Sequence, residues 1–214
     1  MAFKGWPAEA LEFYEGLEAD NSRTYWTANK AVYDEMVHAP MVALLLDLES
    51  EFGPGKIYRP YRDLRFSPDK TPYKTVIGAS LAEGGYVQLS ARGLAAASGM
   101  YHMAADQLDR YRRAVATDLP GEHLQRIIAE AAGGKVVITG RSSLKTAPRG
   151  YPKDHPRAEL LRHKGLIAWQ EWPAAAWLGT AAAKERVIRF LRGARPLRDW
   201  LDTHVGQSEL ADDR

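Results

Sequence analysis

Cysteine is absent from this 214-residue chain, which excludes disulfides, thiolate catalysis, Cys-ligated zinc and iron–sulfur clusters. Long apolar runs are absent too. No stretch approaches the roughly 18 uncharged apolar residues of a membrane span, and Glu9, Glu12 and Glu15 interrupt the first part of the chain. No membrane association and no signal peptide are therefore expected, and the protein reads as cytoplasmic. There is no P-loop, no dinucleotide-binding GxGxxG, no nucleophile-elbow GxSxG and no HExxH. Neither a fixed-period repeat nor a low-complexity linker divides the chain.

What remains is ordinary globular material, 45% hydrophobic and 26% charged residues. The formal charge of +2 conceals a division. Residues 1–58 hold 4 basic and 10 acidic side chains, whereas residues 59–214 hold 25 and 17. That asymmetry permits one surface to attract anions while another repels them.

Pro7 at an early helix position, followed by Leu11, Tyr14 and Leu17, predicts an amino-terminal helix that breaks at Asp20-Asn21-Ser22. Asn21 or Ser22 is expected to cap a second helix carrying Trp26, Tyr33 and Val37, and Pro40 to kink or restart it. Gly53-Pro54-Gly55 ends the helical region. Thr75–Ala82, Gly85–Ala91 and Leu94–Tyr101 are then strand-length runs with glycine-bearing connections, the form of an antiparallel meander. Helices are expected over 104–117 and from Pro120 to Gly133-Gly134, strands at 136–139 and 166–172, and two helices at 174–192 and 197–205. The fold class is α+β, a single domain over 1–206 with a mainly antiparallel sheet covered by amino- and carboxy-terminal helices, and residues 207–214 are expected to fray.

Residues 59–74, RPYRDLRFSPDKTPYK, place Arg59, Arg62, Arg65, Lys70 and Lys74 among two acids, Asp63 and Asp69, and three rings, Tyr61, Phe66 and Tyr73. Three prolines stiffen the segment and favour an extended course. Guanidinium and ammonium groups so held suit phosphate or carboxylate oxygens. The plainer alternative is that Asp63 and Asp69 pair with neighbouring cations and hold the loop to the body of the protein. A second basic region runs through Lys145, Arg149, Lys153 and Arg157 to Arg162, His163 and Lys164; residues 133–165 contain 8 Lys/Arg and 2 Asp/Glu. If the two loops converge they form a cleft; if not, each is solvated surface.

His155, between Asp154 and Arg157, is the candidate catalytic residue, since imidazole titrates near neutrality. His102 and Asp106 share a helical spacing, yet two potential ligands do not make a metal site, and neither metal nor cofactor is expected. Most of the six tryptophans lie in apolar helical or strand patterns, and each is expected to pack in the core rather than to stack on bases.

The stretches Leu17–Trp26, Arg59–Lys74 and Ala147–His155, read together, resemble the conserved-hypothetical DUF2461 family over about residues 6–205. Where family members often carry Asn-Asn-Arg-Glu-Trp-Phe, this chain has Asn21-Ser22-Arg23-Thr24-Tyr25-Trp26, keeping the arginine and replacing its acidic neighbour by Thr24. The resemblance implies a small α+β protein of unknown function and supplies no catalytic residue, substrate or cofactor.

Three functions follow as expectations. The first is binding of a phosphate-bearing small molecule by Arg59, Arg62, Arg65, Lys70, Tyr73 and Lys74, with Arg149, Lys153 and Arg157 as second-loop contributors; a nucleotide or single-stranded nucleic acid is included, through stacking on Tyr61 or Tyr73. The second is an enzyme using His155 on a phosphorylated or carboxylated substrate. The third is a structural or protein-interaction domain whose cations are paired internally.

Overall fold

Pro7 stands at the N-cap of α1 (Ala8–Ala19), a helix entry at which its missing N–H is not needed. In the computed structural model, which describes residues 2–63, 65 and 69–210, α1 buries Ala10, Phe13, Tyr14 and Leu17. Ser22, one of the two capping residues expected, accepts a hydrogen bond from the Tyr25 amide at 3.1 Å and so caps α2 (Arg23–Ala28). A single turn, α3 (Lys30–Val32), leads into a π-helix over Tyr33–His38 and then α4 (Ala39–Phe52). Pro40 explains the change of pitch. Lacking an N–H and crowding the carbonyl four residues earlier, it cannot continue regular α-helix, and the turn before it widens. The Trp6 indole donates to the Val37 carbonyl of that widened turn at 3.2 Å.

Among the described residues six strands form one antiparallel sheet. They are β1 (Gly55–Ile57), β2 (Val76–Leu81), β3 (Gly85–Ser90), β4 (Gly93–Met100), β5 (Val137–Thr139) and β6 (Leu166–Pro173), in the order β1-β2-β3-β4-β6-β5. The meander read from the sequence is β2–β4, with Ile77 opposite Leu89 and Ala79 opposite Val87. β4, whose alanines give it weak propensity, is nevertheless eight residues long with Ala95, Ala96 and Ala97 buried. Gly93 opens it at φ 125°, and a Cβ there would lie 2.4 Å from the Trp172 carbonyl oxygen. β1 was not expected from its Gly-Pro-Gly surroundings; it pairs Gly55 with Leu81 and Ile57 with Ala79.

The chain gathers into two compact units, residues 1–96 with 171–190 and residues 97–170 with 191–214. In the first, α4 packs on β1 and β2, and Asp47 ties the helices together by accepting from Phe3 N at 3.2 Å and Lys184 Nζ at 2.7 Å. Where one helix was expected over 174–192, a 3-10 turn (Ala176–Gly179) precedes α8 (Ala182–Gly193). In the second unit α5 (Ala105–Ala116) packs on α6 (Asp118–Gly133), α7 (Ala158–Leu161) and α9 (Arg195–His204), and α6 also lies on β5.

Residues 207–210, expected to fray, are fastened to α5. Arg110 donates to the Val205 and Gln207 carbonyls at 2.6 Å each, and Asp106 accepts from the Ser208 hydroxyl and the Glu209 amide at 2.8 Å. Residues 211–214 lie outside the described residues. Of the tryptophans, Trp6, Trp26 and Trp200 are buried, while Trp169, Trp172 and Trp177 are half-buried. Among the described residues no helix is long and apolar enough to cross a membrane.

Candidate functional site

The segment that follows β1 in the first unit doubles back on itself. Arg62 N donates to Pro72 O at 2.9 Å and Lys74 N to Pro60 O at 2.8 Å, so Tyr61 and Tyr73 face each other across a short antiparallel bridge. Both bonds flank that pair rather than joining it, the arrangement that brings opposed side chains closest, and the two rings lie 5.4 Å apart. Phe66, the third ring of the motif, lies outside the described residues.

Tyr73 is the anchor. Its ring is buried and stacked on Trp26, centroids 4.4 Å apart and planes within 8°. Its backbone is held by Asn21, which accepts from Tyr73 N at 3.0 Å and donates to Tyr73 O at 3.1 Å. Trp26 is in turn surrounded by Phe13, Tyr33 and Tyr61, edge-on and tilted contacts worth about 0.5–1.5 kcal/mol each beyond area burial. Tyr73 was read as a ligand contact; its ring instead joins the loop to α2.

The five cations divide. Arg62 donates from Nε to Tyr73 O at 2.9 Å and pairs with Asp69 through Nη1. Asp69 also accepts from the Thr71 amide and hydroxyl, which together with Arg62 hold its carboxyl below the ordinary range. Arg65 pairs with Asp63 at 2.7 Å in an exposed position, an arrangement that adds little stability, although the Arg65 side chain and amide keep the Asp63 carboxyl well below its usual value. Lys70 is exposed. Lys74 donates to Arg59 O at 3.0 Å and lies 5.8 Å from the centre of the Tyr58 ring. Its ammonium pKa is lowered by partial burial and then by the charges of Arg59 and Arg62. Arg59 is exposed, and its guanidinium makes no hydrogen bond or ion pair with any described residue.

Beside Arg59 opens a groove of about 390 Å³, lined by Trp26, Tyr33, His38, Tyr58 and Tyr61 among others. One wall is the π-helix, which turns Tyr33 and Val37 inward while Asp34 and His38 reach the groove. π turns recur at functional sites. Burial, with Asp34 and Tyr61 adding to it, pushes the Tyr33 phenol up to about 12, so it remains a neutral donor. Lys30 and Asp34 form an ion pair at the edge, 2.7 Å apart. Sequence reading missed Tyr58 and His38: the first adjoins the basic motif and was within reach, whereas nothing in the spacing brings a residue of the second helix to residue 59.

The second basic region lies in the other unit. Arg157, read as a ligand contact, is buried at 5% exposure and donates to the Val115 and Ala116 carbonyls at 2.6 and 3.0 Å and to Asp118 at 3.0 Å. It closes the carboxy-terminal end of α5, where unpaired carbonyls and the helix dipole favour a cation. His155 Nδ1 accepts from the Arg157 amide at 3.0 Å, a contact that stabilises the turn. Arg149 and Lys153 are exposed on the loop. Asp106, the partner considered for His102, is engaged by the carboxy-terminal residues, whose amide and hydroxyl lower its carboxyl to about 2. Among the described residues no group of three His, Asp or Glu side chains gathers to hold a metal ion.

Comparison with curated proteins returns no match. Among solved structures, a conserved hypothetical protein from Pyrococcus furiosus, Pfu-178653-001, aligns with a TM-score of 0.37 and 11% identity over 77% of this chain and 93% of its own. The sequence matches a family described as "Conserved hypothetical protein (DUF2461)" across residues 9–200. That span takes in α1, the Asn21–Trp26 stretch and both basic segments, so the chain belongs to the DUF2461 family.

Proposed function

We propose that the protein binds a small phosphate-bearing anion in the groove of its first unit. The observation that carries this reading is the exposed Arg59 guanidinium, which forms no ion pair with a described residue although its charge reaches Asp63, set beside an aromatic-lined groove and backed by Lys74. An anion seated there relieves the repulsion among Arg59, Arg62 and Lys74 and gains charge-assisted hydrogen bonds. Tyr58 and Tyr61, about half exposed, offer ring faces to a flat moiety such as a nucleobase.

Arg62 supports a second, complementary reading. Bound to Asp69 and to Tyr73 O, it acts as the internal clasp of the loop, so internal pairing accounts for part of the motif and ligand contact for another part.

Isothermal titration of the full chain with inorganic phosphate, a nucleoside monophosphate and a sugar phosphate tests the reading. Saturable binding of at least one is expected, weakened roughly ten-fold or more in Arg59→Gln, the effect of losing a hydrogen bond to a charged group. Absence of binding to all three, or binding indifferent to Arg59→Gln, overturns it.

A further inference from the structure

In the second unit the β5–β6 pairing is prolonged into a basic ribbon. Lys164 N donates to Ser142 O at 3.0 Å and Leu144 N to Arg162 O at 2.8 Å, with Ser143 opposite His163. Side chains lock it: Ser143 Oγ and His163 Nδ1 lie 2.7 Å apart, and Arg162 Nε donates to Leu144 O at 2.7 Å. Burial lowers the pKa of His163, which keeps that lock neutral.

The cations of residues 133–165 are used differently from those of the first loop. Arg157 is consumed by the end of α5, and Arg162 pairs with Glu159 at 2.7 Å. The other six, Lys135, Arg141, Lys145, Arg149, Lys153 and Lys164, are all exposed and form no ion pair with any described residue. Arg141 lies over two rings, 5.7 Å from the centre of Tyr101 and 5.7 Å from that of Trp169. Tyr101 is itself 66% exposed. A weakly hydrated guanidinium against an open ring places charge and a stacking surface at one point.

We propose that this ribbon, together with the exposed loop over residues 145–153 that continues from it, binds single-stranded nucleic acid, a base stacking at Tyr101 and Arg141 while Lys145, Arg149, Lys153 and Lys164 take phosphates. Unpaired cations with an exposed ring are what a sequence-tolerant single-strand surface requires. An acidic protein would engage the cations but has no base to stack on the Tyr101–Arg141 pair. The exposed large apolar side chains of this surface are Tyr101 and Val137 of β5, too little apolar area for insertion into a bilayer, and anionic vesicles form an arm of the test. The inference is independent of the groove in the first unit and stands or falls apart from it.

Fluorescence anisotropy of the full chain with labelled dT and rU oligonucleotides of about 20 nucleotides, across a salt series, tests it. Four phosphate contacts predict a slope of log K against log salt of about −3, at roughly 0.7 per contact on single strands. The Lys145→Gln/Arg149→Gln/Lys153→Gln variant is expected to lower that magnitude by about 2. Tyr101→Ala is expected to weaken binding about ten-fold with the slope unchanged, and Tyr101→Phe to retain it. All these side chains are exposed, so unfolding midpoints are expected to match the wild type. No binding at low salt, indifference to Tyr101→Ala, a slope unchanged in the triple variant, or equal affinity for duplex DNA, heparin or anionic vesicles overturns the proposal.

Discussion

The Asn21 carboxamide and the Tyr73 backbone exchange two hydrogen bonds, Tyr73 N–H to Oδ1 at 3.0 Å and Nδ2–H to Tyr73 O at 3.1 Å. A side chain here does what a neighbouring antiparallel strand does for a paired residue. Through it, two sequence motifs some fifty residues apart become one structure: the turn before α2 and the doubled-back segment 59–74. Asn21→Ala is expected to cost about 1–3 kcal/mol, since it leaves the Tyr73 amide without its partner. Asn21→Asp, which sets a carboxylate against the Tyr73 carbonyl, should cost more. Urea unfolding reads both as a lowered midpoint with an unchanged slope; a loss within about 0.5 kcal/mol for both would mean that the pair is dispensable.

Arg59 and Arg62, three residues apart, are expected to separate cleanly by stability. Arg62→Gln removes the bonds to Asp69 and Tyr73 O and should destabilise by about 1–2 kcal/mol. Arg59→Gln removes an exposed charge that forms no ion pair with a described residue and should fall within about 0.5 kcal/mol of wild type. Thermal and urea unfolding of the two variants side by side provide the check, and equal losses would erase the distinction between clasp and open cation.

Gly16, inside α1, is expected to resist the substitution that helix propensity favours. A Cβ there would lie 2.1 Å from the Tyr25 hydroxyl, which donates to Phe13 O at 2.9 Å. Gly to Ala in a helix ordinarily gains about 0.5–1 kcal/mol; here Gly16→Ala must displace the Tyr25 ring, and a net loss is expected. A stabilised Gly16→Ala protein would show that the Tyr25 contact yields at little cost.

Segments with a strong period were legible in the sequence: α1, the β2–β4 meander, α5 and α6 each carry the apolar spacing or glycine turns that their burial requires. What was not legible depends on partners far along the chain. Ser22 and Asn21 are both good caps, and only the fold decides that Ser22 caps while Asn21 reaches Tyr73. Arg157 looks like any loop cation, yet its acceptors lie 41 and 42 residues earlier. β1, three residues long, has too little pattern to reveal a strand, and the π turn before Pro40 has no periodic signature distinct from an α-helix. In the candidate site the basic motif itself was visible. Which of its cations are internally paired was not, because pairing is settled by the doubled-back path that sets Arg62 beside Asp69.

The carboxy-terminal fastening is expected to release in acid. The Glu209 amide, with Ser208, Gln107 and Arg110, lowers the Asp106 carboxyl from 3.8 to about 2. A carboxyl depressed by folding stabilises above its unfolded value and loses that contribution as pH falls through the folded one. Protection of the Glu209 amide against hydrogen exchange, corrected for intrinsic exchange, should therefore hold above pH 4 or so and fall away toward pH 2. Asp106→Asn should show reduced protection at every pH, and a pH-independent wild type would contradict this role.

The most direct test of the central claim, that Arg59 presents an open cation at an aromatic groove, is an amide chemical-shift map of the isotopically labelled full chain titrated with a nucleoside monophosphate. The account predicts saturable shifts concentrated at Lys30, His38, Tyr58, Arg59 and Tyr61, and their loss in Arg59→Gln. Shifts confined to other parts of the chain, or none at millimolar ligand, would contradict it.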